Sequence, residues 1–218
     1  MLHVLRLGVE FFAWLAELDG KLAKWVAAVG CSYCGGRLHQ GNYRRKPRGA
    51  NVAGMMDGFA LRHSLCCSRE GCRRRTLPPS LRFLGRRVYA EAVVLIASVV
   101  ALLMGGPGPA SDATAVPART LKRWATWWRE TFVQSRTWQE MRPLLVPSPE
   151  EALLPRSLYE RIDQELSRGG SARSPGDVCV IAAKMLAPCT TRSLPNASRF
   201  VRRLALEQMA ELVTQKMA

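Results

Sequence analysis

Acidic residues are in short supply. The 218-residue chain carries 17 Asp and Glu against 32 Lys and Arg, a formal net charge of +15. An imbalance of that size says nothing about fold, but it points to a polyanionic partner, with nucleic acid ahead of an anionic membrane surface. The sequence has no internal repeat and no long low-complexity segment, which argues against a solenoid and against an unstructured linker. A signal peptide is not expected. Arg6 is followed by Glu10, Glu17 and Asp19 within the first apolar stretch, and no small-residue cleavage site follows. The seven cysteines are an odd number and do not resemble a secreted disulfide framework, so a reducing cytoplasm is the expected compartment.

The positive charge is concentrated. Residues 31–87 hold 13 Lys and Arg against 2 Asp and Glu, a net +11. Residues 88–155 hold 6 of each, residues 156–218 hold 10 against 6, and residues 1–30 hold 3 against 3. The basic quarter of the chain is also the quarter that holds the clustered cysteines. Four segments follow from these shifts: an N-terminal amphipathic helix at 1–30, a zinc ribbon with basic loops at 31–87, a helix-turn-helix region at 88–145, and a C-terminal helical region at 146–218. The expected fold is mainly α with one small β ribbon.

Residues 8–29 read as a helix in which Phe11, Leu15, Leu18, Leu22, Trp25 and Val29 recur at alternating spacings of four and three. Such a seam either packs on its own domain or joins two copies as a homodimer. Gly20 within it costs roughly 1 kcal/mol of helix stability. Residues 31–82 are rich in Gly, Arg and Cys and read as turns and short strands, ending at Pro78-Pro79. Residues 88–104 are nearly all apolar apart from Glu91. Their length sits at the lower edge of a bilayer span, and the flanking Arg86-Arg87 suits a membrane boundary. A buried central helix is preferred, because the motif that follows needs a first helix there. Gly105-Gly106-Pro107-Gly108-Pro109 ends it. Ser148-Pro149-Glu150-Glu151 has the form of a helix start. Further helices are expected at Leu158 to Leu166, from Ser174-Pro175 to Leu186 before Pro188, and after Pro195-Asn196, with Val201, Leu204, Met209, Leu212 and Val213 on one side of the last.

Cys31-Ser-Tyr-Cys34-Gly-Gly is a knuckle: two thiolates at this spacing grip one ion, and the glycines permit the turn beneath it. A second pair follows as Cys67-Ser-Arg-Glu-Gly-Cys72. Four soft thiolates in a tetrahedron favour zinc, and four protein ligands leave no open position, so the ion is expected to be structural. Cys66 adjoins Cys67 and would face the other side of a strand. Cys67 is preferred because its gap to Cys72 makes a compact knuckle. His39 and His63 are alternative ligands, and Cys179 and Cys189 read as core residues. The metal would stiffen two basic runs, Arg44-Arg45-Lys46-Pro47-Arg48 and Arg73-Arg74-Arg75, which are assigned to DNA phosphates.

Downstream, Ser111 to Val116 reads as the second helix of a helix-turn-helix, Pro117-Ala118 as the turn, and Thr120 to Arg129 as the recognition helix. Leu121, Trp124, Ala125, Trp128 and Phe132 form one apolar stripe. Arg119, Lys122, Arg123, Thr126 and Arg129 lie opposite, as docking in a major groove demands, and Thr120 joins them as a candidate contact. Trp127 belongs to neither face.

Cys-x-x-Cys-Gly-Gly-Arg-Leu-His, Tyr-Arg-Arg-Lys-Pro-Arg-Gly, the second knuckle with Arg-Arg-Arg-Thr, and Pro-Pro-Ser-Leu-Arg-Phe-Leu-Gly-Arg-Arg together resemble a group of uncharacterised bacterial proteins. Those look like the zinc-ribbon and helix-turn-helix halves of transposase-type proteins of mobile elements. The resemblance covers roughly residues 11–145 and is most specific in the ribbon. It implies double-stranded DNA binding in transposition or recombination, beside a recombinase or transposase partner, and carries over only Cys31, Cys34, Cys67 and Cys72 as ligands. A transcriptional regulator is the neighbouring reading. No small-molecule substrate is expected. Catalysis is disfavoured, since Asp112, Glu130, Glu140 and Glu151 show no cluster spacing. A membrane-anchored zinc-ribbon protein with a span at 88–104 is the remaining alternative.

Overall fold

The structure, a computed structural model, describes residues 8–48, 58–84, 89–168 and 175–190. The expected helix after Pro195 lies outside them. The chain is mainly helical with small antiparallel sheets. It divides into two compact units, one built around residues 8–91 together with 186–190, the other around residues 92–185. The N-terminal helix and the cysteine-rich segment, distinguished in the sequence as separate pieces, thus belong to one unit.

In the cysteine unit, helix α1 spans Val9–Val29. Its buried stripe is Phe12, Leu15, Asp19, Leu22 and Val26. Only Leu15 and Leu22 of the expected seam are fully buried, and Val29 is 61% exposed. The stripe is turned by one residue because Asp19, a charge that pattern reading sets on the solvent side, lies in the core. Gly20 meets nothing within 4 Å of where a Cβ would stand. Gly20→Ala is therefore expected to raise stability by roughly 0.5–1 kcal/mol, read from chemical denaturation.

Five strands follow: β1 at Leu38–Gln40, β2 at Tyr43–Arg44, β3 at Leu61–Arg62, β4 at Leu65–Cys67 and β5 at Arg75–Thr76. β4 lies between β1 and β5, and β2 pairs with β3, all antiparallel. The register is continuous: Leu38 opposes Cys67, Gln40 opposes Leu65, and Tyr43 opposes Arg62. Gly41 N–H donates to Ser64 O at 2.7 Å and Arg45 N–H to Ala60 O at 2.8 Å, so the two sheets are one ribbon with a break at Gly41-Asn42. The Asn42 side chain fills that break, its Oδ1 accepting from Ser64 N–H at 3.1 Å.

A buried polar knot joins α1 to the segment after Pro78-Pro79. Asp19 accepts from Ser80 Oγ at 2.6 Å, Leu81 N–H at 2.6 Å and Arg82 Nε at 2.9 Å. The Arg82 guanidinium also donates to the carbonyls of Gly58, Phe59 and Leu61, the sharp end of the ribbon. Its plane lies near the rings of Phe59 and Phe83. Ser80 N–H is held in turn by Thr190 Oγ1 at 2.9 Å.

In the helical unit, α2 spans Glu91–Leu103 and is buried from its start to Val99. At about 1.5 Å per residue it is far too short for a bilayer, and no helix among the described residues is long and apolar enough to cross one. Helix α3 runs Pro107–Thr114 and α4 runs Ala118–Thr126. The Gly-Pro segment is thus not simply a stop for α2. Pro107 opens the next helix, where a missing N–H costs nothing. The turn is Ala115 to Pro117, with Ala115 in the left-handed region at φ 54°. α3 packs on α4.

A wider π turn, Trp127–Phe132, continues α4. Leu121, Trp124, Trp128 and Phe132 are all buried, as the stripe predicts, and Ala125 is half-buried. Trp127 is half-buried against Trp128, with ring centroids 4.7 Å apart. Helix α5, Arg136–Met141, is capped by Ser135, whose Oγ accepts from Trp138 N–H at 3.2 Å. The helix start expected at Ser148 is not formed. Glu151–Leu153 is a short 3₁₀ turn, and Glu151 instead accepts from Trp138 Nε1 at 2.7 Å and from Arg142 at 2.9 Å. The Trp138 hydrogen bond first, then Arg142, holds the Glu151 carboxyl below its ordinary range. Helix α6, Arg156–Arg168, begins after Pro155, and α7 spans Pro175–Leu186. α7 is apolar nearly all round and is buried from Val178 onward.

Candidate metal centre and basic surface

Four sulfurs converge in the cysteine unit. Cys31, Cys34, Cys67 and Cys72 have Sγ atoms all within 4.8 Å of one another. Among the described residues this is the only group of His, Cys, Asp or Glu so placed. Cys31 and Cys72 are 3.8 Å apart, and Cys34 and Cys67 are 3.5 Å apart. A tetrahedron with metal–sulfur bonds of about 2.3 Å has edges of about 3.8 Å, so the four side chains fit one thiolate-bound ion.

Local structure explains the convergence. Gly30, at φ 85°, ends α1 and turns the chain into the first knuckle. There Gly35 N–H donates to Cys31 O at 2.8 Å and Cys31 N–H to Gly36 O at 2.9 Å. The second knuckle closes through Cys72 N–H to Arg69 O at 3.1 Å, with Gly71 at φ 83° supplying the left-handed residue. Cys67 sits on β4, opposite Leu38 of β1, which puts the knuckles side by side. Val26, Leu38 and Leu65 pack under the sulfurs. Arg69 crosses from the second knuckle to donate to Cys34 O at 3.0 Å.

Backbone N–H groups aim at the sulfurs. The Tyr33 N–H, opposed by burial and joined by the Cys34 N–H, lowers Cys31 to about 7. The Arg69 N–H pulls Cys67 down, yet burial and the three neighbouring thiols outweigh it and push Cys67 up to about 12. Cys72 is also raised: the Arg74 N–H pulls it down, but burial and the thiols of Cys34 and Cys31 prevail. One sulfur ionises readily and the next resists, because thiolates this close repel. A cation removes that penalty by displacing the protons, so metal affinity must weaken as pH falls.

Gly36 is a cradle for the cluster. A Cβ there would stand 3.0 Å from Cys67 Sγ and 3.3 Å from Cys34 Sγ. Gly36→Ala is expected to weaken metal binding by about tenfold or more, as changes just outside a ligand set do, measured by competition with a chromogenic chelator.

Cys66 turns away from the cluster, its Sγ lying 3.4 Å from Arg73 O. Of the two adjacent cysteines, Cys67 is the one whose sulfur joins the other three. His39 opposes Cys66 across the sheet, and neither it nor His63 joins the four sulfurs. Burial, then the nearby Arg82 charge, holds His63 below the ordinary imidazole range. Cys179 is core, its thiol pushed up to about 12 by burial, whereas Cys189 is only half-buried.

The basic residues divide. Arg44, Lys46, Arg48, Arg73, Arg74 and Arg75 are exposed. Arg45 is half-buried, with its guanidinium 5.0 Å from the Phe83 ring centroid, so its side chain supports the core rather than reaching outward as its basic run suggests. Arg62 and Arg82 are buried outright, at 2% and 1% exposure, and take their charge out of the basic surface. Pattern reading missed both, though the apolar Leu81 and Phe83 around Arg82 were a signal. On α4, Arg119, Lys122 and Arg123 are exposed, as is Arg129 on the π turn that continues it, and Thr120 is half-buried, with Arg123 Nη2 3.4 Å from Thr120 Oγ1. Of the acids weighed for catalysis, Glu140 pairs with Arg136 and Glu151 with Arg142. No family model, curated protein or solved structure matches the chain.

Proposed function

We propose that the chain is a DNA-binding protein in which Cys31, Cys34, Cys67 and Cys72 hold one structural zinc ion. The observation that carries this reading is the convergence of four sulfurs beneath loops rich in exposed arginine. Four thiolates favour zinc over harder cations, and a closed ligand set makes the ion a scaffold element rather than a reagent. Arg73 and Arg75 leave the second knuckle directly, so a rigid ion fixes where their charges stand. Phosphate oxygens are the complementary target.

In the helical unit, α3, the turn at Ala115 to Pro117 and α4 have the chain order of a helix-turn-helix. The exposed Arg119, Lys122, Arg123 and Arg129 suit base and phosphate contacts in a major groove. The resemblance to transposase-type proteins adds an accessory role for a mobile element, beside a recombinase, to the plainer role of a regulator. In both, the chain binds DNA and does not cut it.

The test is a binding assay on duplexes of varied sequence and salt. Arg73→Ala with Arg75→Ala is expected to weaken every duplex alike and to flatten the log–log salt slope by about 0.9 for each phosphate no longer neutralised. Arg123→Ala is expected to alter sequence preference instead. No effect from either variant would overturn the assignment.

A further inference from the structure

Tyr33 stands out in the first knuckle. The residue is 57% exposed, between the two cysteines of the knuckle. The cluster uses only its backbone, whose N–H points at Cys31 Sγ. The side chain is left for another task. Arg74, from the other knuckle, lays its guanidinium 4.2 Å from the Tyr33 ring centroid.

Arg74 is anchored in the same way. Its N–H points at Cys72 Sγ, and its carbonyl accepts from Cys67 N–H at 3.0 Å. An exposed aromatic and a stacked cation are therefore both fixed through their backbones to the sulfur cluster, one from each knuckle. Arg37, Arg69, Arg73 and Arg75 surround them in sequence and are all exposed, and among the described residues no carboxylate pairs with them. A rigid π surface with a cation stacked on it and further exposed arginines close in sequence is what stacking on an unpaired nucleobase requires. A closed duplex offers such a surface little, because its bases are already stacked on one another.

We propose that Tyr33 and Arg74 form a stacking platform for an unpaired base, so that the cysteine unit favours single-stranded or frayed DNA over closed duplex. The inference rests on the DNA-binding reading above and narrows its substrate class. The Tyr33 ring takes the base on its open face. Arg74 holds the opposite face and reaches the adjoining phosphate.

The experiment measures the affinity of the full chain for a thymidine single strand and for a blunt duplex of matched length. Tyr33→Ala is expected to weaken single-strand binding by about tenfold or more, the effect of losing one stacked base. Tyr33→Phe is expected to keep it, and duplex affinity is expected to change little. Metal content serves as the folding control, since neither change removes a ligand or the Tyr33 N–H. If Tyr33→Ala binds the single strand as well as the parent does, or weakens both forms equally, the platform is refuted while the DNA-binding reading stands. If the parent binds neither polymer, both fall.

Discussion

Cys67→Ser is expected to abolish metal binding by the purified chain, whereas Cys66→Ser is expected to leave it intact. The two residues are neighbours on β4, and their side chains leave the sheet on opposite faces. Cys67 Sγ lies 3.5 Å from Cys34 Sγ inside the cluster, and Cys66 Sγ rests on the Arg73 carbonyl. A serine hydroxyl is a harder and far less acidic ligand than a thiol, so the site keeps three donors and an imperfect fourth. Structural zinc supplies roughly 10–16 kcal/mol in small zinc-folded peptides, so loss of one ligand removes a large part of what holds the knuckles. Metal analysis of each purified variant, with its thermal unfolding curve, checks the pair. Metal loss from the Cys66 variant with retention in the Cys67 variant would reverse the ligand assignment.

Breaking the buried pair beneath the ribbon is expected to be nearly as damaging. Asp19 and Arg82 have side chains with 0% exposure and meet at 2.9 Å. Arg82 ties three carbonyls of the ribbon to α1, and Asp19 receives three donors. Asp19→Ala leaves that guanidinium buried without its counter-charge, and losses of about 3–5 kcal/mol follow from such removals. Replacing both partners, as Asp19→Leu with Arg82→Met, removes the stranded charge but also strips the partners from Leu81 N–H and from the carbonyls of Gly58, Phe59 and Leu61, so little of the loss should be recovered. Denaturant unfolding of the single and double variants measures this. A single variant within about 1 kcal/mol of the parent would contradict a pair that works as the joint of the unit.

Spacing made the sulfur cluster legible. Cysteines separated by two and by four residues can grip one ion locally, and the glycines beside them mark the turns. The stripe along α4 and the π turn after it was equally legible, because Leu121, Trp124, Trp128 and Phe132 recur at helical intervals and all are buried. What stayed hidden depends on contacts between distant segments. Asp19 reads as a surface acid until Ser80, Leu81 and Arg82 arrive from more than sixty residues away. Arg62 and Arg82 read as surface charge until the carbonyls that hold them are in place. Ser135 caps α5, a helix the pattern did not mark, and the start expected at Ser148 did not form, since a cap depends on where the backbone turns and not on the motif alone. The Tyr33–Arg74 contact joins two knuckles that lie apart in sequence, so no local pattern carries it.

The most direct test of a metal-stiffened DNA surface is duplex affinity measured across a salt series, with metal bound and again after its removal by a chelator. The metal-loaded chain is expected to bind tightly and with steep salt dependence, and to bind weakly once the knuckles have lost their ion. Metal-free protein that stays folded and holds DNA with undiminished affinity would contradict that dependence of binding on the ion.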